Sequence, residues 1–265
     1  MEEVTSHDGT RIAYYRGGAG SPLILVHGTG AASTRWTPLF AALEEHFSVV
    51  AVDRRGRGES GDGNTYAIQR EFEDVAAVAD AIGEPAHVLG HSFGGLCALE
   101  AGLLTRNLGK LVLYETPIPL PGVPLYPEGV IDRLQALLDA GDREEVLITF
   151  IHEVVGMPPH EFALFRSSPA WPVRLAAAHT LPREMRALER YQFDAPRFKA
   201  LHTPTLLLLG GDSPHFFKAA SEAVDTALPD SRIAVMPGQR HIAMDTAPDL
   251  FLREVLTFLI GGNNS

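Results

Sequence analysis

The sequence predicts a doubly wound α/β fold, with a mostly parallel sheet and a helical insertion. Three observations predict it. Short, continuous apolar runs recur along the chain, each ending in turn residues. Helical patterns lie between those runs. One long stretch, from about Ile118 to Ala200, carries helical patterns and no apolar strand. Continuous apolar strands are buried on both faces, as in parallel sheets. Alternation of strand and helix is the signature of a doubly wound sheet.

The predicted strands are Arg11–Tyr15, Pro22–Val26 (PLILV), Phe47–Val52 (FSVVAV), His87–Leu89, Leu108–Tyr114, Thr205–Leu209 (TLLLL) and Arg232–Met236. Helical spacing is read at Glu71–Ile82, Phe93–Leu104 and Pro248–Leu259. The insertion opens with Pro117, Pro119, Pro121 and Pro124. It continues with helical segments at Val130–Ala140, Glu144–Val155, His160–Arg166, Val173–Ala178 and Arg183–Tyr191. The core is therefore expected at 1–117 and 201–265, with a helical cap at 118–200.

Bulk properties narrow the class. Hydrophobic residues make up 45% of the 265 and charged residues 21%, as in ordinary globular proteins. The net charge of −11 repels phosphates and anionic lipids, so neither nucleic acid nor membrane is an expected partner. Its plain consequence is solubility. MEEVTSHDGT has neither a basic start nor an apolar run, so no secretory leader is expected and the location is read as cytoplasmic. Cys97 is the single cysteine, which excludes an intrachain disulfide and a cysteine metal cluster. At its place inside a helix it is read as core packing.

Ligands of doubly wound sheets bind at the carboxyl ends of the strands. The residues just after each apolar run therefore carry the argument. Gly90-His91-Ser92-Phe93-Gly94 is G-x-S-x-G directly after a strand and at the start of a helix. Such a turn is too tight for side chains at its flanks and pushes the serine hydroxyl out of the sheet. The helix start adds free N–H groups and the positive end of the dipole. Ser92 is the candidate nucleophile.

His27-Gly28-Thr29-Gly30 follows an earlier strand. Its glycines allow the Thr29 N–H to converge with the Phe93 N–H as an oxyanion hole. Each such donor is worth about 3–4 kcal/mol to a tetrahedral transition state. A serine hydroxyl needs a base. Of 11 histidines, His241 is best placed, after the last apolar run and the Pro237-Gly238-Gln239-Arg240 turn. His91 is read as pointing elsewhere, and His152, His160 and His179 as solvated cap residues, with contact between one of them and substrate as the alternative. Trp36 and Trp171 are read either as pocket walls or as ordinary packing.

HGTG, Asp53-Arg54-Arg55-Gly56-Arg57-Gly58-Glu59-Ser60, GHSFGG and PGQRHIAMDTAP together resemble the α/β-hydrolase superfamily over nearly the whole chain. The resemblance implies Ser92 and His241 as triad members, oxyanion donors at Thr29 and Phe93, and a supporting role for the Asp53–Ser60 loop. Haloalkane dehalogenases and epoxide hydrolases of this fold carry aspartate at the nucleophile, so serine argues against both activities. The base also needs a carboxylate partner. Asp212 follows the strand where the family usually keeps it, but the usual G-x-x-D slot counted from Gly210 holds Ser213. Glu115 follows the preceding core strand, where some relatives, including some haloalkane dehalogenases and fungal zearalenone lactonases, place their acid. Glu115 is favoured, with Asp212 as the alternative.

These readings converge on acyl transfer to water without a cofactor, by a serine esterase or lactonase. A cap rich in Leu, Phe, Val and Met predicts a small apolar ester or lactone as substrate. The resemblance leaves open carbon–carbon bond hydrolysis, perhydrolysis and cofactor-free oxygenation. A slow-turnover small-molecule sensor is the reading outside catalysis.

Overall fold

In a computed structural model the chain is described over residues 1–157 and 159–261, with the side chains of 159–161, including His160, outside the description. Strands β1 (Glu2–Thr5), β2 (Arg11–Gly17), β3 (Pro22–Val26), β4 (Ser48–Val52), β5 (Ala86–His91), β6 (Leu108–Tyr114), β7 (Thr205–Gly210) and β8 (Ser231–Met236) form one sheet. Its order is β1-β2-β4-β3-β5-β6-β7-β8. β2 pairs antiparallel with both neighbours, and every other pairing is parallel.

The PLILV run explains the layering. Every residue of β3 is buried, and successive side chains point to opposite faces. Ile24 and Val26 join one core, with Phe72 and Val75 of α2 (Ile68–Ile82) and Leu96 of α3 (Phe93–Ala101). Leu23 and Leu25 join the other, with Leu39 and Leu43 from α1 (Thr37–Glu44). Both faces of the sheet are thus covered, as continuous apolar strands require.

Between β6 and β7 lie α4 (Val130–Asp139), α5 (Arg143–Thr149), α6 (Pro159–Arg166), α7 (Ala170–Ala177) and α8 (Leu181–Glu189). After α5 the chain continues as a π-helical turn over Phe150–Val155, so the expected long helix changes pitch at Phe150. These helices have a cluster of their own around Val130, Leu134, Val146, Leu147 and Leu181. Ile118, Leu188, Tyr191 and Phe198 pack instead with the sheet core, so the two ends of the insertion are sewn into the main body.

The chain ends with α9 (His215–Ala227), α10 (Ala243–Thr246) and α11 (Pro248–Ile260). β1, α1 and α9 are additional to the predicted elements. β1 is a four-residue edge strand with no buried residue. Among the described residues no helix is long and apolar enough to cross a membrane.

Candidate active site

The serine turn is built by its glycines. A Cβ on Gly90 would lie 2.6 Å from the Gly94 carbonyl oxygen, and one on Gly94 only 2.3 Å from that of Val26. Ser92 takes φ 55, a left-handed backbone that L-residues avoid. Its N–H donates to Tyr114 O at 2.9 Å, which ties the turn to the end of β6. The side chain is half-buried. The Phe93 ring is buried beneath the Arg54 guanidinium, 4.5 Å from its centroid.

The HGTG loop lies directly alongside. Val26 pairs with Gly90, and a Cβ on Gly28 would sit 3.0 Å from Ser92 Cβ. His27 is fully buried and holds the loop by both ring nitrogens. Its Nδ1–H donates to Gly28 O at 2.8 Å, and its Nε2 accepts from Arg54 N–H. In a trans peptide the Gly28 carbonyl and the Thr29 N–H point opposite ways. Fixing that carbonyl inward therefore turns the Thr29 N–H outward. Neither the Thr29 nor the Phe93 N–H has a protein acceptor among the described residues. Burial, then the charges of Arg54 and Arg57, holds the His27 pKa well below its ordinary value.

His241 Nδ1–H donates to Glu115 Oε2 at 2.7 Å. Glu115 is fully buried and takes the Gly210 N–H on its other oxygen at 2.8 Å. Asp212 is exposed, and its side chain bonds to nothing among the described residues. The geometry therefore separates the two candidate acids and leaves Asp212 outside the site. Placed one residue early in its turn, it spends its backbone N–H on Gln239 O and faces solvent.

Other residues fix the imidazole in place. The Phe217 ring stacks on it at 4.7 Å and 19°. The Tyr114 hydroxyl donates to Arg240 O and accepts from Ala243 N–H at 2.9 Å, pinning the loop on both sides of His241. His91 Nε2–H donates to His241 O at 2.9 Å, and the two rings lie 4.6 Å apart. This corrects the expectation that His91 points away. Burial and the neighbouring His241 push its pKa well below the ordinary value, so it supports as a neutral ring. No hydrogen bond joins Ser92 Oγ to His241 among the described residues; the contact between the two turns runs through His91. Such catalytic bonds often tighten only when substrate is bound.

The Asp53–Ser60 loop supports the site from below. Asp53 accepts the Ser33 and Glu59 N–H groups, and Ser60 Oγ donates to its carbonyl. A Cβ on Gly58, at φ +51, would lie 2.0 Å from the Asp53 carboxylate. Arg54 pairs with Glu71 of α2 at 2.9 Å and with Glu184 of α8 at 2.6 Å, all three buried. Arg57 also pairs with Glu184. Burial raises the Glu184 pKa, but Arg54 and Arg57 outweigh it and hold the carboxyl below its usual range.

Cys97 is fully buried, and burial pushes its thiol pKa well up, which leaves it inert. Trp36 is fully buried, edge-on to His91, while Trp171 packs among Phe162 and Phe165 of the insertion.

The family model described as the alpha/beta hydrolase family matches residues 23–254. The chain belongs to this family. It is similar to an alpha/beta hydrolase from Sphaerobacter thermophilus, with 36% identity, TM-score 0.84, and 97% of this chain and 100% of that one covered. An esterase, RhEst1, from Rhodococcus sp. shares 26% identity at TM-score 0.78, with 98% of each chain covered. RutD from Agrobacterium fabrum, provisionally named a carbamate hydrolase, is 28% identical over 90% of this chain and 92% of its own. Within this alpha/beta hydrolase, Tyr114, Phe217, His91 and Glu184 are the site-supporting residues that sequence reasoning missed. Tyr114 alone had a usable signal, as the polar end of a buried strand next to Glu115.

Proposed function

We propose that this hydrolase cleaves carboxylic esters or lactones through a covalent acyl-enzyme on Ser92. The observation that carries the reading is the His241–Glu115 hydrogen bond of 2.7 Å, held beside the strained serine turn. With Nδ1–H committed to Glu115, the neutral ring keeps Nε2 as its acceptor.

Ser92 Oγ attacks the carbonyl carbon while His241 Nε2 takes its proton. The carbonyl oxygen becomes an oxyanion against the N–H groups of Thr29 and Phe93. Collapse breaks the bond to the alcohol, which takes the proton from His241. Water then loses a proton to His241 and attacks the acyl carbon. The acid departs as Ser92 recovers its proton. Phe150 and Leu181, both buried, pack from the insertion against Gly30 beside the donors, so the surroundings of the loop are apolar, which supports an apolar body on the substrate. Similarity to a named esterase supports ester chemistry.

Labelling with a fluorophosphonate tests the reading. Wild type is expected to label and Ser92→Ala to lose all label. Equal labelling of both proteins rejects Ser92 as nucleophile. Hydrolysis of short and medium acyl 4-nitrophenyl esters, run beside macrocyclic lactones, checks the substrate class.

A further inference from the structure

Arg174 lies on α7, on the side of the insertion that meets the HGTG loop. Its Nη1 donates to Gly30 O at 3.1 Å, and the guanidinium lies over the Phe165 ring at 5.3 Å. No carboxylate lies within 4.0 Å of it among the described residues. Every other described arginine without an acid partner is exposed, whereas Arg174 is half-buried. The nearest acid in charge terms, Asp245, is already held by both terminal nitrogens of Arg35 at 2.7 and 2.5 Å.

The surroundings are electrostatically lopsided. Burial and the charge of Arg35 pull the Arg174 pKa down to about 10, with Asp245 opposing. It stays charged at neutral pH, and its field reaches His91, next to Ser92. A guanidinium has five N–H donors, and one carbonyl and one ring face leave most of them unused. Gly30 follows Thr29 directly, so the guanidinium bonds to the loop one residue beyond the proposed oxyanion donor. That spacing is the reach of a short carbon chain from the scissile carbonyl.

We infer that Arg174 binds a carboxylate on the substrate, so that the preferred substrates are esters carrying an acid a few carbons from the scissile carbonyl, such as half-esters of dicarboxylic acids. This rests on the acyl-enzyme reading of Ser92. The chain of such a half-ester runs along the HGTG loop from the scissile carbonyl, and its acid end meets Arg174. A fork-like guanidinium suits a planar carboxylate, and a charge-assisted pair out of bulk water is strong.

The test compares kcat/KM for monoethyl succinate, glutarate and adipate with that for neutral ethyl esters of equal chain length, by pH-stat. Wild type is expected to prefer at least one half-ester about 10-fold or more, with the preference shrinking as salt is added. Arg174→Leu is expected to lower the ratio of half-ester to neutral kcat/KM about 10- to 100-fold. Arg174→Lys is expected to restore part of it. A wild-type ratio near one, or an unchanged ratio in Arg174→Leu, overturns the inference while leaving the nucleophile reading intact. Failure of wild type to label with fluorophosphonate overturns both.

Discussion

Ser92 and Glu115 stand side by side at the carboxyl ends of neighbouring strands, immediately after the paired residues His91 and Tyr114. They are the two non-glycine residues with positive φ among those described, at 55 and 47. Left-handed backbone is costly for such residues and persists where the surroundings enforce it. Here the strain gathers at the proposed nucleophile and at the carboxylate bonded to His241.

Replacing Glu115 therefore should cost far more than replacing Asp212. Glu115→Gln is expected to lower kcat by about 10⁴, because an amide no longer fixes the tautomer or stabilises the imidazolium. Asp212→Asn is expected to leave kcat within a few-fold. Steady-state ester hydrolysis ranks the two, and the opposite ranking would remove Glu115 from the mechanism.

Tyr114 acts on the site through the His241 loop. Tyr114→Phe deletes one hydroxyl and with it bonds to Arg240 O and Ala243 N–H. A stability loss of about 1–2 kcal/mol follows from the buried N–H and carbonyl left unpaired. Kcat is expected to fall about 10-fold with KM little changed, since the imidazole and not the substrate is displaced. Equal effects on both constants would place the residue elsewhere in the cycle.

Acid sensitivity should begin above the carboxylate range. His27 and His91 both have pKa values pushed down by burial in the folded chain. The unfolded chain, with histidine near 6.5, then binds more protons than the folded one. Their stabilisation is complete above that pH and is lost as the pH falls towards the folded values. Each adds a slope of about 1.36 kcal/mol per pH unit. Urea unfolding between pH 7 and 5 measures it. His27→Asn should flatten the curve by one proton; an unaltered slope would show that His27 charges freely in the folded protein.

The buried cluster of Arg54, Arg57, Glu71 and Glu184 links the insertion to the core. Glu184→Ala leaves buried guanidinium charge short of a partner, at a cost of about 3–5 kcal/mol. Thermal unfolding should show the drop. Combining it with Arg54→Met should recover part of the loss, and strict additivity would argue against direct coupling.

Most of the sheet was legible in the sequence because a strand buried on both faces has to be apolar throughout, as PLILV and TLLLL are. The serine turn was legible because its glycines answer to backbone clearance within a few residues, and Gly90 and Gly94 have no space for a Cβ. The helices α1 and α9 escaped notice: Pro38 in the first turn of α1 and Pro214 before α9 are the local start signals, and no side-chain cap bond forms at either start.

Chain order alone offered Ser92, His241 and two acids, and there its authority ended. The choice of Glu115 depends on β6 lying between β5 and β7, which points its carboxylate at Gly210 N–H and at an imidazole 126 positions away. The roles of Tyr114, Phe217, Glu184 and Arg174 likewise arise from segments far apart in sequence. Local patterns encode what a residue's neighbours along the chain must satisfy. Which distant groups meet is decided by how the sheet and the insertion pack, and only the folded chain holds that information.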